Sequence, residues 1–141
     1  MVCEKHRDFL KVTAAPIFER GGFYVSHFPI LDGAPANRGH LLIESARHVV
    51  DPADLTEEEA SALGTLIRDS IVLLKRMLPC EQAYVFRLNE KVPHFHMHII
   101  PRYKETPEEF MGYKILDWPN FPKLDLLEVK RLSQELKRAS T

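Results

Sequence analysis

Apolar residues recur along the chain with two different periods. Over residues 56–78, Leu63, Leu66, Ile67, Leu74, Met77 and Leu78 repeat at helical spacing. Thr56 and Glu59 stand three apart as a capping box, acidic residues fill the first turn where the helix dipole favours them, and Pro79 ends the run. A second helix is predicted in DLLEVKRLSQELKRAS, where Leu126, Val129, Leu132 and Leu136 share one side and Asp125 supplies the N-cap. Elsewhere the pattern reads as strands: roughly 17–19 and 23–28 joined by the Gly21-Gly22 turn, then HLLIES (40–45), QAYVFRL (82–88) and HFHMHII (94–100), closed by Pro101. LDGAPANRG is a turn-rich loop, and NEKVP is short enough to join its flanking strands as a hairpin. This order predicts an α+β fold: an antiparallel sheet with one long central helix and a C-terminal helix. One domain over 1–141 is expected, with a core at about 17–103 and an extension at 104–141.

Composition narrows the function classes. The formal net charge is −1, so there is no basic field to hold a nucleic-acid polymer by its phosphates. The apolar stretch around LIRDSIVLLKRMLP contains Arg68, Asp69, Lys75 and Arg76, which argues against a membrane span. MVCEKHRDFL has no apolar segment of the signal-peptide kind, and two cysteines, Cys3 and Cys80, do not make a disulfide framework. A cytoplasmic location is the expectation.

Three of the seven histidines occupy alternate positions in HFHMHII. On a strand, His94, His96 and His98 would share one face about 7 Å apart, with Phe95, Met97 and Ile99 turned to the core. Three rings in a row on one face are hard to explain as packing. Two chemistries want them: ligation of a metal, or work on phosphate in which one ring attacks phosphorus and others donate to its oxygens and assist the leaving group.

HFHMHII resembles the His-φ-His-φ-His-φ-φ signature (φ apolar) of the histidine triad superfamily, and it is followed by Pro101-Arg102, a frequent ending of that motif. GHLLIESARHV (39–49) resembles the glycine-histidine strand of the same family, and the resemblance covers roughly residues 17–103. It implies a nucleotide bound on the histidine face, cleaved at the α-phosphorus. His96 would be the nucleophile, forming a nucleotidyl-imidazole that water hydrolyses. His98 would bond the phosphate oxygens or the leaving-group atom, His94 would hold the phosphate in register, and His40 would approach from the next strand. Asp32, eight residues before His40, would hold the ribose hydroxyls, unless Asp32-Gly33 is simply a turn; His27 competes for that role. Many members carry a Gly-Gln-Ser/Thr segment before the triad. RLNEKVPH has none of these residues, and Asn89 could supply an amide in its place.

By the same resemblance the substrate is a dinucleoside polyphosphate or a nucleoside phosphoramidate, with the general pattern leaning to the former, and the protein is a homodimer. No cofactor is required. Cys3, His6, His48 and His94 match a structural zinc set, with His6 in place of a second cysteine; such a set suits tetrahedral zinc and would take His94 from the phosphate site. Two other functions stay open: a nucleotide-sensing module that has lost turnover, and a metal protein using the triad as ligands. Trp118 and Phe121 read as core aromatics, Arg102 as a phosphate contact or a strand end, and Cys80 as buried.

Overall fold

The computed structural model describes residues 14–88 and 92–141. Strands β1 (Phe18–Arg20), β2 (Phe23–His27), β4 (Leu41–Ser45), β5 (Cys80–Phe86) and β6 (His96–Tyr103) form an antiparallel sheet in the order β1-β2-β4-β6-β5. A separate two-stranded ribbon joins β3 (Ala36–Asn37) to β7 (Lys123–Leu124). Helix α1 (Glu57–Met77) separates β4 from β5, and α2 (Leu126–Ala139) closes the described chain. This is the α+β architecture expected from the sequence. No helix among the described residues is long and apolar enough to cross a membrane.

Alternation decides which residues meet the helices. Phe23 and Val25 of β2, Leu41 and Ile43 of β4, and Ile99 of β6 are buried in one cluster with Leu66, Leu73 and Leu74 of α1. Both helices begin as their sequences predict. Thr56 accepts from Glu59 N–H while the Glu59 side chain returns to Thr56 N–H, and Asp125 and Glu128 repeat the arrangement on α2. Glu59 also receives two hydrogen bonds from Arg47 (2.9 and 2.7 Å), which fasten the loop after β4 to the start of α1. The Arg47 guanidinium holds the Glu59 carboxyl down at about 2. Trp118 and Phe121 pack in the core with Tyr103, as expected.

The limits of two strands and one pair of strands differ from expectation. Strand β6 starts at His96, not His94, and runs through Pro101 to Tyr103. Proline is tolerated there because the ladder between β4 and β6 ends at Leu41 opposite Ile99, so Pro101 lies in the stretch paired with β5 alone. Strand β5 begins at Cys80, immediately after Pro79, and ends at Phe86, with a register shift between Cys80 and Gln82. The β3–β7 ribbon has no counterpart in the sequence reading, since two residues per strand are too few to show a period.

Candidate active site

Register places two of the three alternating histidines on the sheet face away from α1. His98 lies opposite Leu42 of β4 and Phe86 of β5, and His96 lies opposite Glu44. His40, just before β4, joins them: its Nε2 is 2.9 Å from Nδ1 of His98, so one proton is held between the two rings. Aromatic neighbours fix both. Phe28 stacks on His40 with ring centroids 4.3 Å apart, and Phe86 stacks on His98 at 5.0 Å. The His96 ring stands edge-on to His98 at 5.4 Å. His96 Nδ1 is 2.8 Å from the His94 carbonyl oxygen; only an N–H can make that bond, so the proton sits on Nδ1 and the lone pair on Nε2. Burial, reinforced by the neighbouring rings of His98 and His27, keeps His40 well below the usual imidazole range, hence neutral.

His27 is not on this face. It continues the Phe23–Val25 alternation and points into the core, where both ring nitrogens are engaged. Nδ1–H donates to Phe28 O (2.9 Å), and Nε2 accepts from Gly39 N–H (3.0 Å). The nucleotide-contacting role expected for His27 is therefore replaced by that of a buried brace, which fixes the backbone one residue before His40. Counting parity from Phe23 would have shown this. Burial pushes His27 down to about 4, opposed in part by the bond to Phe28. Between about 6.5 and 4 the unfolded chain binds a proton that the folded chain refuses. This contribution to stability is complete above pH 6.5 and is lost as pH falls toward 4, a linkage of about 3 kcal/mol. His40 adds an effect of the same sign. We expect His27→Asn to be less stable at pH 7 yet to lose less stability between pH 6.5 and 4.5 in urea titrations. An unchanged slope would assign the acid sensitivity to other groups.

His94 also leaves the expected row. Phe95 N–H donates to Val49 O (2.5 Å) and Phe95 O accepts from Ser45 N–H (3.3 Å), which draws the chain across the end of β4 before β6 begins. His94 is fully buried, with Nε2 2.8 Å from Ser45 O and 3.2 Å from Ser45 Oγ. Its ring packs beside His48 at 5.6 Å. Its contribution to the site is its carbonyl, which orients His96. Of the zinc set, His48 and His94 are thus adjacent, while Cys3 and His6 lie outside the described residues, as does Asn89. Among the described residues no group of three His, Cys, Asp or Glu is placed to hold a metal. His48 and His94 alone fall short of a tetrahedral set, and no chemical step below passes through a metal.

Beside His40 opens a cleft of about 290 Å³, near the lower end of the roughly 300 Å³ and upward typical of ligand pockets. Phe28, Leu31, Ala36, Asn37 and His40 line it together with Leu116 from the C-terminal extension. Among the described residues that line it, none is charged. Asp32 sits at the exposed tip of a turn next to this cleft: it and Gly33 have φ of 52° and 75°, and Ala34 N–H bonds back to Leu31 O at 2.9 Å. The Asp-Gly turn reading is correct for the backbone, and it leaves the carboxylate on the rim. Arg102 lies at the other end of β6, 4.0 Å from Glu81. Phe28, Phe86 and Glu44 are the site-face residues that the sequence reading missed. Cross-strand register from His96 and His98 identifies two of them.

The arrangement is an antiparallel sheet presenting an oriented imidazole lone pair, a hydrogen-bonded histidine pair and an adjoining neutral cleft. Those features define a sheet protein whose open face is built for chemistry with histidine. The HIT domain family matches residues 26–105, and the chain belongs to it. An uncharacterized HIT-like protein of Mycoplasma genitalium is 34% identical over 90 residues, covering 60% of this chain and 62% of its own. The adenosine 5'-monophosphoramidase hnt1 of Schizosaccharomyces pombe is 28% identical over 111 residues, 75% of this chain and 76% of that protein. The chain spans about three fifths of the length of the Mycoplasma relatives it matches. The Plasmodium falciparum diadenosine triphosphate hydrolase shares the fold, with a TM-score of 0.62, 16% identity, and coverage of 88% of this chain and 74% of that one.

Proposed function

We propose that the protein hydrolyses a nucleotidyl substrate at its α-phosphorus through a covalent nucleotidyl–His96 intermediate. The observation that carries this reading is the bond from His96 Nδ1–H to His94 O, which leaves the nucleophilic lone pair on Nε2 without any further base. In the first step Nε2 forms a bond to phosphorus as the bond to the leaving group breaks. With His98 Nδ1–H donating to Nε2 of the neutral His40, His98 in its imidazolium form carries a second proton on Nε2, delivers it to the departing nitrogen or oxygen and is left as neutral imidazole. In the second step water attacks phosphorus, the P–N bond to His96 breaks, and His98 accepts a proton from the water. The neutral cleft holds the nucleoside, with His40 at the boundary between nucleoside and phosphate.

The sequence likeness to the yeast monophosphoramidase extends over three quarters of both chains and favours a nucleoside phosphoramidate; the Plasmodium hydrolase contributes a likeness of fold alone. The test is to incubate the protein with adenosine 5'-phosphoramidate and with diadenosine polyphosphates, with and without chelator, and follow AMP. AMP release, faster from the phosphoramidate and insensitive to chelator, is expected. Nucleotide binding without AMP from any substrate would leave a sensing module in place of a hydrolase.

A further inference from the structure

The cleft wall contributed by the C-terminal extension has no role in the chemistry above. Leu116 lies in a 3₁₀ segment, Gly112–Asp117, and is 46% exposed although its neighbour Ile115 is buried in the core. That segment is fixed to the sheet by a hydrogen bond from Gly112 N–H to the Tyr84 hydroxyl (2.8 Å) and by Ile115 beneath it. Leu116 is thus a half-exposed apolar side chain on a rigid support, facing a cleft whose other walls are Phe28, Leu31 and Ala36.

We infer that Leu116 is a specificity-determining residue that closes over the base of the bound nucleotide, so that the extension selects substrates by their nucleoside. The inference rests on the hydrolase reading for the position of the phosphate but concerns the opposite end of the ligand. Three features support it. The cleft is continuous with the histidines through His40, so a group seated there is within covalent reach of the phosphorus. Its described lining carries no charge, which suits a planar base more than a second phosphate. Covering a flat ring would remove the exposed part of Leu116 from water, a gain made only by substrates that carry a base. A wall of this kind discriminates strongly between base and no base, and weakly among bases, because apolar contact rejects isosteres poorly.

The test compares AMP with ribose 5-phosphate by calorimetry, and adenosine 5'-phosphoramidate with ribose 5-phosphoramidate by turnover. The wild type should bind AMP at least tenfold more tightly than ribose 5-phosphate. Leu116→Ala should weaken AMP about fivefold and leave ribose 5-phosphate unchanged, and Leu116→Met should restore AMP binding. In turnover the same variant should raise KM for the adenosine substrate with kcat unchanged. If Leu116→Ala weakens both ligands equally, the residue acts through the fold and the inference is wrong. If the wild type binds the two ligands alike, or neither, the base is not held here and the inference is also wrong. If the binding pattern holds but no AMP is released, the hydrolase reading fails and the role of Leu116 stands.

Discussion

His96→Ala should lower AMP release by about four orders of magnitude while nucleotide affinity stays within about tenfold. The asymmetry follows from what the side chain touches. The Nδ1–H orients the ring against His94 O, and in the proposed mechanism Nε2 makes the bond to phosphorus. On the same proposal affinity comes from the cleft beside His40, which the substitution leaves in place. The fold should also persist, because the ring is on the open face and not in the cluster beneath the sheet. Single-turnover kinetics with adenosine 5'-phosphoramidate, beside calorimetry with AMP, would separate the two effects. Turnover that survives in the variant would remove His96 as nucleophile, and an affinity lost by a hundredfold would make it an anchor instead.

Gly39→Ala should lower stability by about 3 kcal/mol and the melting temperature by about 10 °C. Gly39 has φ of +83°, a conformation that side chains disfavour. An added Cβ would stand 2.8 Å from the Tyr103 hydroxyl, 2.9 Å from Leu78 Cδ1 and 3.1 Å from Pro101 Cγ. Tyr103 cannot swing aside without breaking its 2.5 Å bond to Arg38 O. The Gly39 N–H is also the donor that His27 was buried to receive. Gly33→Ala is the control: φ is +75°, but nothing lies within 4 Å of the added carbon, so about 1 kcal/mol is expected from the backbone alone. Equal losses in the two variants would show that packing against Tyr103 contributes nothing.

The long-period features were legible in the sequence. Both helices, their caps and the strands around GHLLIES and HMHII follow from periodicity and punctuation, since a 21-residue helix or an alternating strand repeats its signal many times. What failed was local. His94 belongs to the alternation by spelling, yet backbone bonds from Phe95 to Val49 and Ser45 bend it out of the strand, and those partners are more than forty residues away. His27 looked like a ligand contact because histidine at a strand end is ambiguous until the strand's parity is fixed against its neighbour. The Gly-Gln-Ser/Thr segment that this chain lacks concerns residues 89–91, which the described structure does not include.

The β3–β7 ribbon binds distant parts of the chain into one cooperative unit. Ala36 and Asn37 form cleft wall on one side and pair with Leu124 and Lys123 on the other, and Val129 of α2 packs behind Ala36. Occupancy of the cleft and docking of the tail are then reciprocal: whatever holds one must, to the same degree in free energy, hold the other. A ligand at His40 would slow amide exchange at residues 122–129, more than eighty positions further along the chain.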